Sequence, residues 1–459
     1  MKHQKSPERG VALVMVMATL AILTVLLAEV QEDASSELAA AITVRDGVQA
    51  EYFAKSATNL SRLLIASEPT VRTAMAPLFM FMRRTPPQLP VWEFSDRILG
   101  AFNDSEAAGD FAATAGLDMS LGKNLGLKGG RFEVVILDEE SKINLNMGAA
   151  NEIAHIRLAQ QLMAAMGPPV HNPIFEQRDS TGNFHDRLTV CSSLIDWADM
   201  DEQRWSCDLA TTAPTGQVIE DYSYYSMLPK PYRAKNAPYD SLEELRLVRG
   251  ISDDFWLTFV NRDPKNPRKR DMTVWGQGAV NVNTASGSTL LALVCSGSGA
   301  PESELCTNPT QMATFLAGVT MARGISMGAP LFGNSGDFMT MMKGGGLLGP
   351  LLATLGLKPI KFKSESEFTR AISTESKFFS IYAVGVVKGY KRETRIATHT
   401  VVDFRTAPVV TATAPVSLGT GVPPAPPAPT ATVAQSDVTS IAAALQPSTG
   451  GQIVYYRVE

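Results

Sequence analysis

Histidine and cysteine are scarce in this 459-residue chain, at five and four copies. The cysteines fall into two local pairs, Cys191 with Cys207 and Cys295 with Cys306, and neither pair has the C-x-x-C spacing of a zinc or redox site. His155, His171 and His185 lie in no motif that would make one of them a general base. The small-residue run Gly333-Asn334-Ser335-Gly336-Asp337 therefore lacks the partners a nucleophilic serine needs. Gly344-Gly345-Gly346 is not followed by Lys-Ser/Thr, which excludes a P-loop. Charged residues make up 19% of the chain and the net charge is −5, so there is no electrostatic case for nucleic acid. Proline is absent from residues 8–68, and no charge occurs between Val11 and Ala28.

These last two absences define the N-terminus. A short charged leader with Lys2, Lys5, Glu8 and Arg9 ends at Gly10, and an apolar run from Val11 to Ala28 follows at once. At about 1.5 Å per residue that run spans roughly 27 Å, enough for a bilayer core. Basic residues precede it and Glu29, Glu32 and Asp33 follow, which places the leader in the cytoplasm and the rest outside. Phe53, Ala57, Leu60 and Leu64 continue the helical spacing, so one helix from Val11 to about Ala66 is expected. The alternative is two helices broken near Asp46-Gly47.

The length suggests two or three domains. Alternation predicts strands at 132–138, 378–388, 392–404 and 452–458, and helical patterns dominate residues 147–330. Glycine and methionine at 333–358 read as a flexible loop. Residues 407–435 are Pro-, Ala- and Thr-rich and read as an extended solvated segment. In an oxidising compartment Cys191–Cys207 and Cys295–Cys306 are expected as short-loop disulfides, with free buried thiols as the alternative.

Six carboxylates lie on two short segments: Asp196, Asp199, Asp201 and Glu202, then Glu220 and Asp221. A hard cation such as Ca²⁺ would relieve their repulsion, although the loop lacks the glycine of an EF-hand. A solvated acidic loop is the alternative.

The order of charge, cleavage glycine and apolar helix resembles a type IV pilin-like precursor, cut after Gly10 by a prepilin peptidase and methylated at Val11. The fifth residue after Gly10 is Met15, where such chains carry Glu. Further on, Asp138-Glu139-x-x-Lys142-Ile143-Asn144-Leu145-Asn146 is followed by Asp196-Trp197-x-Asp199-x-Asp201 and Glu220-Asp221-Tyr222. Pro231-Tyr232-Arg233, Leu242-Glu243-Glu244-Leu245-Arg246-Leu247-Val248-Arg249-Gly250 and Val280-Asn281-Val282-Asn283-Thr284-Ala285 come next. Together these resemble the minor pseudopilin K (GspK) family of type II secretion.

The resemblance implies an α+β, pilin-like fold: a long N-terminal helix on a small antiparallel sheet, with a large inserted α-helical domain. The expected organisation is a leader at 1–10, a transmembrane helix at 11–28 and the first part of a pilin domain at 29–146. An inserted helical domain at 147–335, a flexible loop and sheet hairpin at 336–405, a Pro/Ala/Thr-rich loop at 406–450 and a final strand at 451–459 complete it.

The family also implies structural Ca²⁺ at positions matching Asp199, Asp201, Glu220 and Asp221, with Asp196 and Glu202 beside them. It implies a non-enzymatic tip subunit, anchored by one span in the bacterial inner membrane with its body in the periplasm. The implied partners are I- and J-type minor pseudopilins, the major pseudopilin, the prepilin peptidase and the inner-membrane secretion platform. Two other readings share the leader. One is a minor pilin or tip adhesin of a type IV pilus. The other is a membrane-tethered DNA-binding competence protein, because Leu245–Ile251 resembles half of a helix-hairpin-helix.

Overall fold

The computed structural model describes residues 8–81, 85–100, 103, 129–178, 182, 184–208, 222–264, 266–298, 303–326, 328–346, 348–389, 392–408 and 448–459. Helix α1 (Glu8–Phe81) is continuous through Asp46-Gly47. Every residue from Val11 to Arg45 is exposed, and the apolar stretch has a mean hydropathy of 2.8. This helix is long and apolar enough to cross a membrane. Burial begins at Asp46 and recurs at Ala50, Phe53, Ala54, Ala57, Ser61 and Ile65, the helical period of a face set on a sheet.

α1 also runs past its expected end near Ala66 and contains Pro69 and Pro77. Proline removes a helical hydrogen bond, so tertiary contacts must hold this turn. Glu68 accepts from the Leu89 backbone N–H at 2.9 Å, and Arg72 reaches both Glu68 and Glu375.

The sheet has four strands, β1 (Gly130–Asp138), β2 (Phe378–Lys388), β3 (Glu393–Asp403) and β4 (Gln452–Val458). They lie side by side in chain order, each antiparallel to the next. Alternation puts Phe132, Val134, Ile136, Ile381, Ala383 and Val402 on the face under α1, where they form one apolar core with the helix. Helix α2 (Ser95–Gly100) flanks this core with Leu99. Tyr382, His399 and Tyr455 lie on the opposite face, against the insertion.

Between β1 and β2 the chain leaves the sheet for residues 139–377. This insertion holds two apolar cores. The first gathers Leu145, Leu158, Leu162, Cys191, Leu194 and Trp197, carried by β1-proximal residues, α3 (Glu152–Met166) and α4 (Arg187–Asp196). The second gathers Val282, Leu290, Phe315, Phe338, Met341 and Phe368 from α5 (Gly287–Gly297), α6 (Pro309–Ser326), α7 (Ser335–Met342) and α9 (Glu365–Ala371), with α8 (Gly349–Thr354) beside them.

Two expectations are corrected here. Residues 333–358 are not a flexible loop but carry α7 and α8, with Phe338, Met341 and Met342 buried. Their glycines make the turns between helices, Gly344 and Gly346 with positive φ, while the methionines fill the core. The connection from β1 to β2 runs over residues 139–377 and contains the 147–335 stretch expected as the helical domain. Leu242–Leu247 is a 3₁₀ turn rather than an α-helix, with Leu245 buried.

The lobes open with the same device. Ile143-Asn144 pairs in parallel with Met272-Thr273, and Val280-Asn281 with Ile372-Ser373. In each, the first asparagine accepts from the backbone N–H of the second: Asn144 from Asn146 at 2.9 Å and Asn281 from Asn283 at 3.0 Å. The second then grips a distant backbone, Asn146 at Tyr239 and Val274, Asn283 at Leu331 and Phe332.

Candidate functional site

The acidic segment begins where α4 ends. Asp186 caps the start of that helix by accepting from the Thr189 N–H at 2.8 Å. At the other end Asp196 accepts from the Trp205 N–H at 2.7 Å. Asp196 and Asp199 are both buried. Their charges act on the Tyr239 phenol, whose pKa is pushed well up, first by burial and then by Tyr225, Glu244 and these two aspartates. That phenol donates to the Leu194 carbonyl at 2.8 Å.

Asp201 and Glu202 are exposed on the following turn. Asp201 accepts from the Gln203 N–H at 2.7 Å, and its carbonyl accepts from Asn236, which adopts φ +46°. Glu220 and Asp221 lie outside the described residues. The chain resumes with Tyr222–Ser226, where the Tyr225 ring meets Trp197 at 5.7 Å, within the acidic segment itself.

The structure thus buries Asp196 and Asp199 within electrostatic reach of Tyr239 and leaves Asp201 and Glu202 at the surface. Among the described residues no three acidic, histidine or cysteine side chains converge as metal ligands. The donor set is nonetheless oxygen-only and carries two buried carboxylates, which fits a hard cation such as Ca²⁺ and no soft one. Of the expected ligands, Asp196 and Asp199 are the described ones whose burial would withdraw a bound ion from water.

Both cysteine pairs are disulfides. Cys191–Cys207 has a Cα–Cα distance of 6.0 Å and Cys295–Cys306 one of 5.7 Å. The first staples α4 to the segment after the acidic turn. The second joins α5 to the turn before α6. Loops of this size are worth about 3 kcal/mol each in the chain-entropy model.

The motif Asp138-Glu139-x-x-Lys142 gains a location that its sequence did not disclose. It forms the neck between sheet and insertion. Asp138, the last residue of β1, accepts from the Glu140 N–H and from the hydroxyls of Thr284 and Ser376. Ser376 lies two residues before β2 and is itself held by Gln88 through both backbone groups. Glu140 accepts from the Lys377 and Gln277 N–H groups. Glu139 and Lys142 form an ion pair at 2.9 Å with both side chains buried.

Burial pushes the Asp138 carboxyl up to about 7, against its hydroxyl partners. Burial also opposes ionisation of Glu139, but Lys142, Ser380 and Thr273 outweigh it and hold that carboxyl below its ordinary value. Against the sheet, burial pushes His399 down to about 4. Its ring stacks on Tyr382 at 4.1 Å, and Arg270 donates to the Tyr382 hydroxyl at 2.9 Å.

The other sequence features have structural roles. Asn334 caps α7 by accepting from the Asp337 N–H at 3.0 Å, so the 333–337 run is a helix start. His155 packs edge-on to Trp205 at 4.9 Å and His171 to Phe259 at 4.7 Å. In Leu245–Ile251, Leu245 and Val248 point into the first core and Gly250 turns with φ +83°.

No protein-family model and no curated protein matches the chain. Among solved structures it is similar to a chain of the crystal structure of the GspK–GspI–GspJ complex from the enterotoxigenic Escherichia coli type 2 secretion system. The likeness has a TM-score of 0.32 at 17% sequence identity and covers 60% of this chain and 75% of that one.

Proposed function

We propose that this chain is a minor pseudopilin of a type II secretion system, a non-enzymatic subunit at the tip of a periplasmic pseudopilus. The observation that carries the reading is the join between anchor and body. A single helix leaves the membrane, packs on a four-stranded sheet and supports a disulfide-braced insertion of residues 139–377 through one neck. The insertion is larger than the sheet that carries it. A filament end accommodates such a body, whereas a shaft position would have to pack neighbours around it.

The ordered motifs shared with the pseudopilin K family support the same reading. So does Met15: a subunit without an acid at that place cannot neutralise a neighbour's terminal amine in lipid, and a tip subunit has no neighbour ahead of it. In this reading a prepilin peptidase cuts after Gly10 and methylates Val11. The subunit sits in the inner membrane with its body in the periplasm, joins I- and J-type minor pseudopilins, and primes growth of the major pseudopilin on the inner-membrane platform. Asp196, Asp199, Asp201, Glu202, Glu220 and Asp221 supply the oxygen ligands for structural Ca²⁺.

The test is co-expression of the full-length chain with I- and J-type pseudopilins, followed by co-purification and a secretion assay of the deletion strain. A stable ternary complex and lost secretion are expected. Loss of pilus-dependent adhesion with secretion intact would favour the type IV pilus alternative instead.

A further inference from the structure

We infer that the outer edge of β4 is a docking strip on which an extended segment of a neighbouring subunit adds as a fifth strand. The inference rests on the assembly reading above. The two edges of the sheet are treated differently. At β1 the edge is covered at Phe132: Asn103 donates to the Phe132 carbonyl at 2.7 Å and accepts from the Phe132 N–H at 3.0 Å. At β4 the strand pairs with β3 alone among the described residues.

The register fixes which groups face away from β3. Glu459 N–H donates to the Ala397 carbonyl at 2.8 Å, and Arg457 lies opposite His399. With a two-residue period, the backbone groups of Arg457 and Glu459 face β3, and those of Tyr456 and Val458 face outward. A row of alternating outward N–H and C=O groups is matched by another extended backbone and by little else.

The strip is also apolar and held in place. Ile453, Val454, Tyr456 and Val458 are each 40–46% exposed, and Arg457 is the one charged side chain within the strand. Arg62 of α1 donates to the carbonyls of Gly450 and Gly451, both at 2.8 Å, and so fixes the start of β4. On the inner face the Tyr455 ring rests on Trp275 at 5.5 Å and on His399 at 5.2 Å. The strand is therefore ordered before any partner arrives, which lowers the entropy cost of binding. The irregularity near Val454 is confined to the β3 register at Val401/Val402 and leaves Tyr455–Val458 in regular pairing.

The occupant follows from what lies beside the edge. Tyr456 lies within electrostatic reach of Lys55 on α1, and Lys55 sits 5.5 Å from the Tyr52 ring. Tyr52 and Val48 are exposed, and beyond Asp46 every helix residue from Arg45 back to Val11 is exposed. The edge and this helical strip form one surface. A subunit anchored in the same membrane and lying along α1 faces both at once.

The test uses the full-length chain with its I- and J-type partners. Amide hydrogen exchange in residues 452–458 is expected to be fast at Tyr456 and Val458 in the chain alone and slow in the complex. Val458→Pro and Tyr456→Pro each delete an outward donor without touching the β3 ladder. Each is expected to weaken association by about tenfold, the equivalent of one or two main-chain hydrogen bonds, with the melting temperature unchanged. Arg457→Pro deletes an inward donor and serves as the control that lowers the melting temperature.

Slow exchange at Tyr456 and Val458 in the chain alone would mean the edge is already covered, and would overturn the inference. Wild-type association by Val458→Pro, with fast β4 exchange in the complex, would overturn it while leaving the assembly reading intact. Failure of the wild-type chain to capture either partner would overturn both.

Discussion

Gly385 of β2 lies directly beneath the backbone of Ala50 in α1. A Cβ placed on Gly385 would fall 1.8 Å from the Ala50 carbonyl oxygen and 2.9 Å from the Ala54 nitrogen. At this crossing, flanked by Ala50, Ala54 and Ala57, the helix backbone therefore meets the sheet backbone directly. That close approach sets how α1, and with it the exposed apolar stretch at its N-terminal end, is aimed from the body.

Gly385→Ala should push the helix off the sheet. The clash is with backbone, which cannot rotate away, so a loss at the upper end of about 1–3 kcal/mol is expected. Denaturant unfolding of the full-length chain in detergent measures it. A variant within experimental error of the parent would mean that α1 does not rest on β2 as described.

The buried pair Glu139–Lys142 holds the neck. Removing one partner leaves a buried charge uncompensated, so Lys142→Met should cost about 3–5 kcal/mol. The double variant Glu139→Gln/Lys142→Met removes both charges and should recover much of that loss. A double variant no better than Lys142→Met would show that packing, and not charge, dominates at this place.

The neck and the sheet respond to pH in opposite senses. Asp138 has its folded pKa raised to about 7, so the stability it contributes is fully present below its unfolded value of about 4 and is lost as pH rises through about 7. His399 is held at about 4 in the folded state, so its contribution is present above about 6.5 and is lost as pH falls through about 4. Asp138→Asn should remove the first dependence and leave the second. The difference in stability between parent and Asp138→Asn, measured by melting from pH 4 to pH 8, should fall steadily up to about pH 7. A flat difference would contradict the buried, proton-binding Asp138.

The parts legible in the sequence are those set by local pattern. Period-two alternation places the strands within one or two residues of β1, β2, β3 and β4, because each is covered on a face. Cysteine spacing, with an oxidising compartment, suggested both disulfides. What local pattern could not show depends on partners far along the chain. Asp138 meets Thr284 and Ser376, and Glu140 meets Lys377, so these acids look like solvated charge until the insertion folds back. Gly344 and Gly346 read as flexibility, yet Met341 and Met342 beside them are buried by residues from α5, α6 and α9. The helix through Pro69 is likewise legible only with Leu89 and Glu375 in place.

Calcium gives the last prediction. Asp196 and Asp199 are buried carboxylates on one turn at the end of α4, and Cys207 is disulfide-bonded to that same helix through Cys191. Ion binding to the folded state alone stabilises by RT ln(1 + [L]/Kd), about 2.7 kcal/mol when free Ca²⁺ is a hundredfold above Kd. EDTA should therefore lower the melting temperature of the full-length chain. Ca²⁺ added back in excess should restore it, and Mg²⁺ should restore it less, because Mg²⁺ demands a stricter octahedron and keeps its waters. Asp199→Asn should melt lower than the parent in Ca²⁺ and lose most of its response to EDTA. If the parent melts identically with and without EDTA, and mass spectrometry of the native chain finds no bound metal, the acidic segment is a solvated loop. Asp196 would then serve to hold the Trp205 N–H at the end of α4.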